Sequence, residues 1–314
     1  RPSAMPSQRQ IRQQITNRIV AALEQDLLPW RRPWRSSPNT GRPANVVSKR
    51  AYSGINPILL ELHNLRFGFE SRWWGTYRQW HELGCFVTKR PDDVEPGQWG
   101  ASIVFYRPVT KTVTDDNGEE HEEHFPLMRT FTVFNAEQVE GESAENHQVQ
   151  EEEPERGLPK FAPAEELIAA TEAEIRHGGD RAYYIRPVPF DDWPNHRDGD
   201  YIVLPPKHRF VALGSYYETV LHELGHWSEV RTGWDHREKG YPMGELASEI
   251  ASSFLADELG VPQGESLENH VAYLKSWLAE MKNHPSYIFK ASTQASKVTD
   301  YLLSFVRQPA EIPA

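Results

Sequence analysis

One cysteine, Cys85, stands among 314 residues. Its solitude excludes an internal disulfide framework and any zinc site built on several thiolates. In the run Leu83-Gly84-Cys85-Phe86-Val87 it reads as a small core residue. Long apolar runs are missing too: no stretch approaches the roughly 20 residues that a bilayer-spanning helix needs. The polar, arginine-bearing N-terminal residues lack the apolar centre of a signal peptide. The expectation is a soluble, cytoplasmic chain without membrane contact. Positive charge is scarce overall, with 34 Lys and Arg against 45 Asp and Glu and a formal net charge of −11.

That scarcity is uneven. Residues 1–113 hold 17 Lys and Arg and 8 Asp and Glu, a net of +9, so residues 114–314 carry −20. A basic half joined to an acidic half is the pattern of a chain in which one domain meets a polyanion and the other does not. The length suffices for two domains, each with a sizeable core.

The most specific pattern present is His222-Glu223-Leu224-Gly225-His226. Histidines four apart project from one helix face, close enough to share one divalent ion, and Glu223 then stands where a water on that ion would lose its proton. Tyr217, Val220, Leu221 and Leu224 supply the apolar face of a buried helix, and Gly225 permits close packing beside the ion. Residues 244–255 read as a second helix stopped by Gly260 and Pro262, with Glu245 and Glu249 one turn apart on one face. Glu245 is taken as the third ligand and Glu249 as the acceptor that orients a ligand histidine; the reverse order stays open. The metal expected on a His₂Glu set is Zn²⁺, with Mn²⁺ as the alternative. Tyr241, just ahead of this helix, is a candidate to steady an oxyanion.

The fold class expected is α+β. In the basic half, residues 9–24, 55–65 and 76–83 read as helices, and residues 101–106, 110–114 and 128–134 as strands, with Asp116-Asn117-Gly118 as a hairpin turn. His121 and His124 lie among glutamates and are read as a solvated hairpin edge. Residues 137–160, acidic and Pro-bearing, read as a linker between a domain at 1–136 and one at 161–314. The second domain shows helices near 164–176, 266–282 and 292–306, and strands at 182–186 and 201–204.

Six of the ten tryptophans fall in the first 113 residues. Trp30, Trp34, Trp73 and Trp74 alternate with Arg31, Arg32, Arg35, Arg42, Lys49, Arg50, Arg72 and Arg78, joining phosphate-tracking cations to rings on which unpaired bases stack. Trp80, on the apolar side of its helix, is read as core. No basic recognition helix of a duplex reader is evident, so single-stranded DNA is the expected partner.

These residues resemble a known family. The stretches Arg42-Pro43 and Ser53-Gly54-Ile55-Asn56, Trp73-Trp74-Gly75-Thr76-Tyr77-Arg78-Gln79-Trp80, and Thr132-Val133-Phe134-Asn135-Ala136-Glu137-Gln138-Val139-Glu140-Gly141 are similar to the N-terminal domain of ArdC-type plasmid antirestriction proteins, a domain also found in the primase TraC. His222 to Trp227, with Gly244 to Glu249, resembles the zincin-like domain that follows it. Arg107-Pro108-Val109 departs from the lysine-rich strand end of that family. The resemblance implies a single-strand DNA-binding domain followed by a gluzincin-type metallopeptidase domain, acting after conjugative entry to shield plasmid DNA from host restriction. It further implies that Tyr201-Ile202-Val203-Leu204 is the strand that bonds to a peptide substrate. Two other readings remain: a DNA coat whose metal domain is structural or binds a partner without turnover, and a protease that cleaves a repressor or restriction subunit.

Overall fold

A computed structural model describes residues 7–31, 37–114, 120–149, 161–186, 199–235, 240–263 and 271–307. Among them no helix is long and apolar enough to cross a membrane. Helices α1 (Gln8–Leu23), α2 (Asn56–Phe67), α3 (Tyr77–Glu82) and α4 (Glu142–Glu145) accompany strands β1 (Ala44–Asn45), β2 (Trp73–Gly75), β3 (Phe86–Val87), β4 (Ala101–Thr114), β5 (Glu120–Asn135) and β6 (Val139–Glu140). Then come α5 (Ala162–Thr171), β7 (Glu174–His177), β8 (Tyr183–Ile185), β9 (Tyr201–Leu204), α6 (Leu213–Trp227), α7 (Tyr241–Leu259), α8 (Val271–Asn283) and α9 (Tyr287–Leu303). The architecture is α+β.

The first sheet runs β1-β2-β5-β4, and most of it is the antiparallel pair β4–β5, in register from Ala101 opposite Val133 to Thr114 opposite Glu120. The two strands expected at 101–106 and 110–114 are therefore one. Pro108 does not interrupt it, because β4 is an edge strand and a missing N–H there is tolerated. The Asp116-Asn117-Gly118 turn and the side chains of His121 and His124 lie outside the described residues. Helix α3 starts where Thr76 and Gln79 form a reciprocal capping box.

Two expectations on organisation need correcting. The linker cannot begin at residue 137, since Val139 and Ala144 are buried with Trp80, Cys85 and Val46, and β6 pairs with β3. Their apolar side chains are few but well placed; residues 150–160 lie outside the described set. Nor do the halves keep separate cores. One cluster joins Ile15, Ile19, Leu23, Trp30, Ile58 and Met128 to Leu224, Ile250, Phe254, Trp277 and Ile288. Trp30 meets Trp277 edge-on with centroids 6.3 Å apart, and Thr16 Oγ1 donates to the Pro285 carbonyl at 2.8 Å.

In the C-terminal half, α5 stops at Thr171 because Glu172 turns left-handed (φ 52°) and the chain enters β7. Strand β9 lies between β7, which it pairs with in parallel, and β8, which it pairs with antiparallel. Both of its edges are taken. The reading of Tyr201–Leu204 as a peptide-binding edge therefore fails; β8 is the edge strand on that side.

Candidate metal centre

Helix α6 carries both histidines on a buried stretch: Tyr217, Val220, Leu221 and Leu224 are all in the core. It packs closely on α7 at Gly225. A Cβ on Gly225 would lie 3.0 Å from Ser248 Oγ and 3.2 Å from Ser248 Cα, so glycine is what lets the two helices meet there. That contact brings Glu245 across to the histidines.

His222 Nε2 and His226 Nε2 are 3.2 Å apart. Glu245 sets Oε2 3.5 Å from the first and Oε1 3.4 Å from the second. Four-coordinate zinc with bonds of about 2.0–2.2 Å requires donors separated by about 3.4 Å. The donor set and spacing fit one divalent ion, and His222, His226 and Glu245 form a divalent-metal-binding cluster.

The surroundings orient these groups. Glu229, buried just past the end of α6, accepts from His226 Nδ1 at 2.9 Å, and Ser248 Oγ lies 3.2 Å from the same nitrogen. Glu249 Oε2 stands 3.9 Å from His222 Nδ1, while its Oε1 accepts from Arg31 Nε at 2.9 Å. Glu249 thus occupies the outer position and Glu245 the inner one.

Glu223 is buried beside both histidines. Burial raises its pKa, against the lowering effects of the two histidines and of the Tyr184 backbone N–H of β8 that bonds to it. Burial likewise opposes charge on His226, but Glu229 and Glu245 outweigh it and push that pKa up to about 10. For Glu245 the same opposition is overcome by its bonds to the two histidines, which hold it well below the ordinary carboxylate range. Tyr241 begins α7 one turn before Glu245; burial, then its contacts with Tyr273 and Glu245, raise the phenol's pKa.

The residues expected to bind DNA fare differently. Trp30 and Trp74 have no exposed surface, and a base cannot stack on an inaccessible ring, so both are corrected to core residues. Arg31 is corrected as well: it reaches Glu218 at 2.5 Å and Glu249 at 2.9 Å, beside the metal cluster. Arg42 bonds to Asp300 and, with Arg72, faces the buried Glu258. Those guanidiniums meet carboxylates of this chain rather than phosphates. Lys49 lies over the half-buried Trp73 ring at 4.5 Å, Arg50 is exposed, and Arg78 is exposed but paired with Glu82. Arg32, Trp34 and Arg35 lie outside the described residues.

Sequence reasoning missed Glu229, although the i+3 step from His226 across the helix end was a readable signal. It also missed that Arg31 belongs to the metal centre, which no local pattern shows.

A family model for the N-terminal domain of anti-restriction factor ArdC matches residues 9–134, and one for a zincin-like metallopeptidase matches residues 162–294. The crystal structure of the metal-free antirestriction ArdC protein from plasmid R388 superposes with a TM-score of 0.70 at 31% identity, covering 94% of this chain and 97% of that one. The chain belongs to the ArdC family. The Mn(II)-bound R388 protein matches with a TM-score of 0.66 at 30% identity over 96% of this chain and 99% of that one. An uncharacterised protein of Sinorhizobium fredii is 30% identical over 93% of the chain and 91% of its own length. The DNA primase TraC of Escherichia coli is 33% identical over 93% of the chain, which spans only 27% of that primase.

Proposed function

We propose that this ArdC-family chain is an antirestriction protein that binds single-stranded DNA and carries a metallopeptidase centre, with His222, His226 and Glu245 holding one divalent ion. Zn²⁺ suits the donor set, and Mn²⁺, found in the R388 relative, suits it too. The observation that carries the reading is the cluster of His222, His226 and Glu245, with ligand atoms within 4.8 Å of one another, and a buried carboxylate, Glu223, between the two histidines in sequence.

When bound, such an ion supplies Lewis acidity for peptide hydrolysis. The chain's own groups do the rest. Glu223, its basicity raised by burial, takes a proton from the attacking water and hands it to the leaving amine. The Tyr241 phenol, placed at the start of α7, donates a hydrogen bond to the oxyanion. Strand β8, whose Tyr184 N–H already reaches Glu223, has an edge unpaired among the described residues, along which an extended peptide lies. The substrate class consistent with antirestriction is a host protein such as a restriction subunit.

Two variants test this. Elemental analysis of His222→Ala protein should show the ion lost, and retention at full stoichiometry would sink the ligand assignment. Glu223→Ala should keep the ion and abolish proteolysis. If that variant still protects incoming plasmid DNA as well as wild type, the metal domain acts without turnover and the protein is a DNA coat.

A further inference from the structure

With Trp30 and Trp74 buried and Arg31, Arg42 and Arg72 bound to carboxylates of the other half, five of the residues expected to meet DNA are spent within the chain, and a polyanion needs further cations and rings. A phosphate needs an accessible guanidinium without a carboxylate partner, and a base needs a ring with an open face. The β4–β5 pair joins both. Cross-strand partners in the β4–β5 pair share a face: Phe105 is opposite Arg129, Ile103 opposite Phe131, and Arg107 opposite Leu127. At the base of that face Ala101, Ile103 and Val133 are buried against Leu60 and Trp74. Beyond it the core ends, yet the aromatic side chains continue: Phe105 is 59% and Phe131 45% exposed, with ring centroids 6.3 Å apart. Arg107 and Arg129, both exposed, flank them, and neither guanidinium has a hydrogen-bond or ion-pair partner among the described residues.

We infer that this face of the β4–β5 hairpin is where a single-stranded polynucleotide lies, its bases against Phe105 and Phe131 and its phosphates on Arg107 and Arg129. The inference rests on the reading of the chain as a single-strand binder and gives that reading a location. A second copy of the chain is a poorer occupant. Twofold pairing of the face on itself would bring four guanidiniums together with no carboxylate among the described side chains of the face to offset them. Another exposed aromatic row, Tyr77, His81 and Phe86, lacks the free cation, since Arg78 beside it is held by Glu82. It serves as the control.

The test uses the full chain and a fluorescein-labelled oligo-dT, read by anisotropy across a salt series. Phe105→Ala with Phe131→Ala should weaken binding at least about tenfold and leave the salt dependence unchanged. Phe105→Leu with Phe131→Leu keeps the apolar bulk and should weaken it similarly, which guards against a loss due to misfolding. Arg107→Ala with Arg129→Ala should reduce the slope of log affinity against log salt by about 1.4, the share of two phosphate contacts on a single strand. Tyr77→Ala with Phe86→Ala should bind as wild type. The inference is overturned if wild type binds oligo-dT and the hairpin variants bind equally well, or if they only convert a dimer to monomer. Should wild type not bind oligo-dT at all, the single-strand reading falls with it.

Discussion

Arg31, from the basic half, donates through Nε to Glu249 Oε1 at 2.9 Å, and the other oxygen of that carboxylate faces His222 Nδ1. The guanidinium is held in turn by Glu218, one turn before His222 on α6. Arg31 therefore fixes the rotation of Glu249, whose other oxygen stands 3.9 Å from the ring of a metal-ligand histidine. Groups that orient ligand histidines are typically worth 10–100-fold in metal affinity. Arg31→Gln should weaken Mn²⁺ binding by about tenfold in an EPR titration, with Arg31→Lys intermediate. Glu218→Gln, which leaves the contact with Glu249, should bind the metal nearly as wild type. Equal losses in Arg31→Gln and Glu218→Gln would reduce Arg31 to a structural brace.

Trp30 fills the core against Trp277, so its removal should act on folding before it acts on any ligand. Trp30→Ala is expected to cost about 3–5 kcal/mol of stability in denaturant titrations, the range for emptying a large aromatic site. For the same reason residues 1–136 expressed alone should lack a cooperative unfolding transition. A well-folded fragment would show that the shared core is dispensable.

Glu258 receives three arginines, Arg42, Arg72 and Arg307, while nearly buried itself. Burial opposes its ionisation, but Arg72, Arg42 and Arg307 outweigh that and hold its pKa below the usual carboxylate value. Its contribution to stability is therefore complete above the unfolded pKa near 4.5 and is lost as pH falls through the lower folded value. Glu258→Gln should destabilise the chain at neutral pH by about 3–5 kcal/mol, since buried guanidiniums lose their anion. The difference between variant and wild type should shrink below pH 4, as chemical denaturation at several pH values would show.

His63 gives a second, separable pH dependence. Burial lowers its pKa to about 4; a hydrogen bond to the Trp99 carbonyl opposes this, and Arg18 and Arg66 add to it. A depressed pKa means that stability is full above the unfolded value of 6.5 and falls as pH drops toward 4, by on the order of 3 kcal/mol. His63→Phe should flatten the stability profile in that window alone. An unchanged slope would assign the loss to other groups.

The metal centre was legible because its geometry is local. Four-residue spacing fixes two histidines on one face, and a second acidic helix leaves few candidates for the third ligand. The same locality made the helices and the β4–β5 pairing readable, since capping residues and alternation act over a few positions. Trp30, Arg31, Arg42 and Arg72 were misjudged for the opposite reason. Each lies in a basic, aromatic-rich stretch that looks like a polyanion surface, yet each packs against or pairs with residues about 190 to 260 positions away, and no local pattern carries such partners. Phe105 and Phe131 were passed over because alternation marks them as strand residues without saying where the core beneath the strand ends.

The shared core has an evolutionary consequence. A boundary that crosses a hydrophobic interior cannot be cut and rejoined at will: a foreign C-terminal half would leave Trp30 without its cavity and Arg31 without its carboxylates. Recombination should therefore move both halves together as one cassette. The match to TraC has that form, since 93% of this chain lies within 27% of a much longer primase.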